Sequence, residues 1–212
     1  MDKILNKQVS FKNIGIATAI LIAGLAILLF GPGYLGFFSV AATSLIALLI
    51  VYPKKSVQAI FGKPLHPVKI IIGYFLLNWL VSIVVSLLLN YGLGWHLQGN
   101  PINDNPNWLL LFTIPIMLMG EELLSIYFLS IFSSKFSLPI ASLLSALIFG
   151  LIHYSTYNDG NVLHTLAHIL LIQGVARLIF NRAAIKTNSI WTSWIIHVLF
   201  DFSTILLVLF QH

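Results

Sequence analysis

Seven apolar stretches, each close to the thickness of a bilayer core, dominate this chain: 13–30, 34–52, 68–90, 108–133, 138–154, 162–181 and 190–209. A helix needs about 20 mostly apolar residues to cross a hydrocarbon core of about 30 Å. In that medium every backbone N–H and C=O must be satisfied within the segment, which leaves helices as the structure these stretches can take. The expected fold is all-α, a polytopic transmembrane helical bundle of about seven spans. Composition agrees: 58% of the 212 residues are hydrophobic and 8% charged, against about 25% charged in soluble domains. A mean hydropathy of +0.96 excludes a soluble domain, a disordered tail and a nucleic-acid-binding module, despite a pI near 9.5. The lipid bilayer is an expected partner and nucleic acid is not. The absence of cysteine excludes disulfides, Cys-ligated zinc, iron–sulfur clusters and a cysteine nucleophile. The first stretch lacks a clear A-x-A cleavage site and reads as a retained anchor rather than a removed signal peptide.

Lysine and arginine orient the spans. Lys3, Lys7 and Lys12 precede the first; Lys54, Lys55, Lys63 and Lys69 follow the second; Lys135 follows the fourth; Arg182 and Lys186 follow the sixth. With seven alternating spans all of these fall on one side. The other side carries Asp104 and Asp159 but no Lys or Arg. This pattern predicts a cytoplasmic N-terminus and an outer C-terminus. Trp95 and Trp108 fall near the outer interface and Trp191 near the inner one.

Ionisable groups inside spans are costly and mark candidate functional positions. They are Glu121 and Glu122 in span 4, His153 in span 5, His164, His168 and Arg177 in span 6, and His197 and Asp201 in span 7. Asn78 and Gln173 add uncharged polarity. Spans 1 and 2 have no ionisable residue, so residues 1–107 read as anchoring and packing and residues 108–212 as the functional part of one integral unit. At about 1.5 Å per residue, Glu121, His153, His197 and Asp201 lie roughly 18, 22, 10 and 16 Å deep, in one central layer. His197 and Asp201 share a helix face, as do Phe149 and His153. Glu121 and Glu122 point about 100° apart: one faces a pocket, the other takes a structural partner. Pro115 can kink span 4, and Gly120 permits close helix approach.

A buried Glu beside a His could activate water, and a second His could hydrogen-bond a developing oxyanion. The same set could serve as a proton or ion relay or a metal site, or its histidines could simply bridge helices. His164 and His168, four apart, could also hold a metal, but no third ligand of fixed spacing accompanies them. The loop 91–107, with its turn-rich stretch 100–106, reads as a surface loop, with a lid or substrate gate as the alternative.

Glu121–Glu122, then Phe149-x-x-x-His153, then His197-x-x-x-Asp201 resemble the motifs of the CPBP family: EExxxR, FxxxH and HxxxN or HxxxD. That family comprises CAAX-type intramembrane proteases and bacteriocin-processing or immunity proteins. The resemblance covers residues 108–205. It implies a glutamate-dependent, cofactor-free and metal-free hydrolase. Glu121 would be the general base, His153 would position water, and His197 with Asp201 would stabilise the oxyanion. Glu122 would be a supporting carboxylate, and Phe149 would shape the pocket. The family Arg falls at Ile126 here. Arg177 is the candidate to replace it by pairing with Glu122, against simple snorkelling to the interface. The implied function is an intramembrane endopeptidase acting on a peptide or membrane protein, in a bacterial cell membrane, with roles such as bacteriocin self-immunity or peptide maturation. The alternatives are a non-catalytic immunity or regulatory protein that binds a peptide or partner, and an ion-coupled carrier. Oligomeric state and substrate are not legible.

Overall fold

The computed structural model describes residues 1–101 and 108–209, without side chains at 33–34 and 208–209. Asp104 and most of the turn-rich stretch 100–106 lie outside the described residues. Among those described, the regular structure is helical throughout: α1 (Phe11–Phe30), α2 (Gly33–Val51), α3 (Lys54–Ile60), α4 (Pro67–Leu87), α5 (Leu110–Ser133), α6 (Leu138–Ile152), α7 (Val162–His168), α8 (Val175–Thr187) and α9 (Ile190–Leu209). Two π-helical turns, Leu88–Gly92 and Ile169–Gly174, extend α4 and join α7 to α8. The protein is an all-helical bundle with membrane-spanning helices.

Five segments are long and apolar enough to cross a membrane: Phe11–Phe30, Pro67–Gly92, Leu110–Ser133, Val162–Thr187 and Ile190–Leu207. The other two expected spans are shorter apolar helices, Leu35–Val51 and Leu138–Ile152. The second stops early for a local reason. His153 takes a non-helical turn (φ −83°, ψ 2°), and its ring Nδ1 binds the Phe149 carbonyl at 2.7 Å, so the polar residue ends the helix inside the bundle.

Elsewhere the boundaries follow ordinary chemistry. Proline stands in the first turn of α4 and of α6, where its missing N–H costs nothing. Asn161 caps α7 by accepting from the amides of Leu163 at 2.9 Å and His164 at 3.3 Å. Asn188, with φ 54°, ends α8 in the left-handed region, which Asn tolerates better than most residues. In the loop before α7, the Asn161 amide donates to Asp159 Oδ1 at 2.9 Å. That bond holds the exposed Asp159 carboxyl below its usual range. Its contribution to loop order is therefore present at neutral pH and lost as pH falls through the lowered value.

The most buried long helix is α5. It packs against α2, α6, α8 and α9, while α1 pairs with α2 and α4 lies on α8 and α9. Small residues permit this. A Cβ on Gly120 would sit 2.7 Å from the backbone nitrogen of Ala41, and Ser145 donates to the Ser125 carbonyl at 3.0 Å. Lipid-tail surroundings supply little hydrophobic drive between helices, so close backbone approach of this kind carries the packing. Gly120→Ala must push α2 from α5 and is expected to cost about 1–3 kcal/mol, the range for overpacking. Gly73→Ala, whose Cβ would meet nothing within 4 Å, is expected to be neutral or slightly stabilising. Melting of the two variants in detergent checks both; equal melting would remove the close-approach argument.

The ends that carry the basic residues meet. Asp2 N donates to Asn188 Oδ1 at 3.0 Å, Leu65 N to the Thr187 carbonyl at 2.9 Å, and Lys135 Nζ lies 4.8 Å from the Phe11 ring centre. At the opposite end Trp95 stacks on His164, with ring centres 4.1 Å apart. Large apolar side chains face outward along the helices, among them Leu76, Leu80, Phe112 and Leu143. Exposed apolar surface on this scale fits a bilayer and not water.

Candidate active site

The two adjacent glutamates of α5 have separate environments. Glu122 is fully buried, as is its partner Arg177 on α8. Arg177 Nη1 donates to Glu122 Oε1 at 2.8 Å and Nη2 to Oε2 at 3.0 Å. This bidentate fork is the strongest geometry available to such a pair. Arg177 therefore does not snorkel. Its guanidinium lies between two rings, 5.5 Å from the centre of Phe149 and 5.2 Å from that of Phe180. Ile126, at the position of the family Arg, is fully buried in apolar core. The cation beside the carboxylate thus arrives from another helix.

Glu122 Oε1 also binds His197 Nδ1 at 3.0 Å. A carboxylate held by a guanidinium only accepts, so Nδ1 carries the proton and His197 is oriented through it. The expected His197–Asp201 pair does not form: no hydrogen bond or ion pair joins the two among the described residues. Both stand on one face of α9, but the imidazole reaches across to α5, where the bond is charge-assisted. Trp194 Nε1, donating to the Pro115 carbonyl at 2.8 Å, holds α9 against the same stretch of α5.

Glu121 turns the other way and is 25% exposed at its side chain, to a cavity. Its Oε2 lies 4.0 Å from His153 Nε2 and 3.8 Å from His197 Nε2. The Phe149 carbonyl can only accept, so His153 Nδ1 is its donor and, in the neutral ring, Nε2 is a lone pair. Glu121 Oε2 and His153 Nε2 are then two acceptors about one water apart. They can receive the two hydrogens of a single water and direct its oxygen outward. His197 Nε2, with Nδ1 anchored, offers a proton to the same space when the ring is charged.

These groups share a cavity of about 150 Å³, lined also by Phe149, Tyr157, Gln173, Phe180, Phe200 and Asp201. A second, more apolar cavity of about 360 Å³ meets it at Glu121, His153, Phe149 and Asp201, and takes part of its wall from Leu25, Leu28, Leu29 and Val40. Helices α1 and α2 therefore do more than anchor; they wall one approach to the site. Glu121, His153, His197 and Asp201, with Glu122, Phe149 and Arg177 behind them, thus come together from α5, α6, α8 and α9. Sequence reading passed over Tyr157 and Phe180. Phe180 stands three residues after Arg177 on α8 and repeats its face, whereas Tyr157 lies in the turn that follows α6, where helical spacing gives no signal.

His164 and His168 have separate surroundings. His164 Nδ1 approaches Asp159 Oδ2 at 3.4 Å, and His168 is buried with its ring centre 4.5 Å from that of Tyr157. Among the described residues no cluster of three His, Asp or Glu side chains is arranged to hold a metal ion.

A sequence model of the family described as Type II CAAX prenyl endopeptidase Rce1-like matches residues 103–203. Over that stretch, just under half of the chain, the sequence is similar to that family. The matched region contains Glu121, Glu122, His153, Arg177, His197 and Asp201. No curated protein and no solved structure matches the chain.

Proposed function

We propose that this protein is an intramembrane endopeptidase that hydrolyses a peptide bond with water activated by Glu121. One observation carries the reading: Glu121 faces a cavity between two imidazole Nε2 atoms, at 4.0 and 3.8 Å, while Glu122 is fully engaged by Arg177. Glu121 takes a proton from the water it shares with His153. The water oxygen attacks the scissile carbonyl carbon, and the new C–O bond leaves negative charge on the carbonyl oxygen. His197 Nε2–H stabilises that charge, with Glu122 and Arg177 holding the ring in place. Glu121 then returns its proton to the amide nitrogen as the C–N bond breaks. Asp201, one turn beyond His197, offers an acceptor to a substrate N–H. No cofactor enters this scheme.

The substrate is a peptide or membrane protein, reached from the bilayer through the apolar cavity. The basic end of the bundle lies on the cytoplasmic side of a bacterial membrane, and bacteriocin self-immunity or peptide maturation is the setting. Terminal-peptide mass spectrometry on membranes from cells expressing the native chain or Glu121→Ala at matched levels tests the reading. New termini that require Glu121 are expected. Identical profiles, with the variant folded and any cellular phenotype intact, would replace this reading by a non-catalytic immunity or regulatory protein.

A further inference from the structure

Beside the central cavity lies another, of about 510 Å³, between α4, the π-helical turn Ile169–Gly174 and α9. It is within the size range of ligand sites, about 300–1,000 Å³. The two cavities have Tyr157, Gln173, Phe200 and Thr204 in common, so they adjoin across shared side chains. Its wall on α4 is unusual for a membrane helix: Ser82 and Ser86 stand four residues apart in a segment otherwise built of Leu, Ile and Val, and Asn90 follows in the π-helical turn, its amide donating to the Ser86 carbonyl at 2.8 Å. Residues at that spacing form one stripe. Polar stripes are expensive against lipid tails and economical against a polar occupant.

The opposite wall carries a second sign. His168 is 6% exposed, and its Nδ1 has no hydrogen-bond partner among the described residues. A buried polar atom without a partner costs about 1–3 kcal/mol, which a bound ligand would relieve. The neighbouring π turn places Gln173 on the wall of both cavities; π turns inside α-helices recur at functional sites. None of the described lining residues is Asp, Glu, Lys or Arg. Neutral amides, hydroxyls and an imidazole supply both donors and acceptors and select no charge. That is the chemistry of a peptide backbone with uncharged polar side chains.

The geometry points to this cavity as the binding site for the extended, polar segment of a peptide substrate adjoining the bond to be cut, with His168 and Gln173 as its hydrogen-bond partners. The inference deepens the protease reading and rests on it for the word substrate. The apolar cavity on the other side of Glu121 takes the membrane-embedded portion, so the scissile bond crosses from one lining to the other at Glu121.

A photoreactive benzoylphenylalanine at Ser86 in the full-length Glu121→Gln chain, irradiated in native membranes, tests this. The control places the same probe at Leu76, which is 57% exposed on the outer face of α4. Mass spectrometry is expected to find peptide adducts at Ser86 and only lipid adducts at Leu76. His168→Ala should lower the Ser86 peptide yield by roughly fivefold, as for one lost hydrogen bond. Lipid adducts alone at Ser86, or equal peptide yields at the two positions, would overturn the assignment. Peptide adducts at Ser86 without any Glu121-dependent termini would sustain the site and remove the protease. Glu121-dependent termini without peptide adducts would do the reverse.

Discussion

Glu121→Gln is expected to slow peptide hydrolysis by about 10²–10⁴-fold, the usual contribution of a positioned general base, with little change in melting temperature. The amide has the volume of the carboxylate and borders a cavity, so packing is preserved. It cannot accept the proton of the attacking water, and the shared acceptor pair with His153 Nε2, 4.0 Å away, is broken. Glu122→Gln separates the two carboxylates. It leaves Arg177 buried opposite a neutral group and weakens the bond that aligns His197 at 3.0 Å, so it should lower stability and activity together. Initial rates on a peptide found by terminal profiling, measured beside thermal melting, check both. Full activity in Glu121→Gln would end the proposed assignment of the base.

Arg177→Met is expected to destabilise the bundle by about 3–5 kcal/mol, the cost of leaving one partner of a buried ion pair unmatched. Glu122 would remain fully buried, with His197 as its one remaining partner among the described residues. The guanidinium also fills the space between Phe149 and Phe180, which Met fills with less shape but no charge. Pairing Arg177→Met with Glu122→Gln removes both charges and should recover much of the loss, because an apolar or neutral replacement of a buried pair is often near neutral. The exchange Arg177→Glu with Glu122→Arg should do the same if the fork can form in reverse. Melting in detergent across this cycle gives the coupling directly. An Arg177→Met variant that melts with the native protein would show that the pair contributes nothing to stability.

Much of the helical frame is legible in the chain. Span 7, read as 190–209, is α9 (Ile190–Leu209), because an apolar run of that length has one way to satisfy its backbone in lipid. Span 5, read as 138–154, ends at Ile152 instead, because hydropathy does not register that the His153 ring would bind the Phe149 carbonyl. Span 6, read as 162–181, runs from Val162 to Thr187 as one segment and contains the π turn Ile169–Gly174, for which no periodic apolar signal exists. The polar residues along α4 and the π turn after it are present in the sequence as serines and an asparagine, but single neutral residues are tolerated in spans and carry little weight until a cavity stands in front of them.

The site divides in the same way. That Glu121 and Glu122 could not both face one pocket follows from 100° per residue on a helix, and that the chemistry gathers in the C-terminal half follows from where charge is found in an apolar chain. Which carboxylate faces the cavity depends on which side of α5 meets α8. The partner of His197 is Glu122, because the packing of α9 on α5 brings Nδ1 within 3.0 Å of a carboxylate already held by Arg177. The cation that the family motif places on α5 comes from α8, because electrostatic compensation requires a charge at the right point in space and is indifferent to its position in the chain. Local spacing thus determined the helices and the list of polar groups, and packing between helices alone decided their pairings.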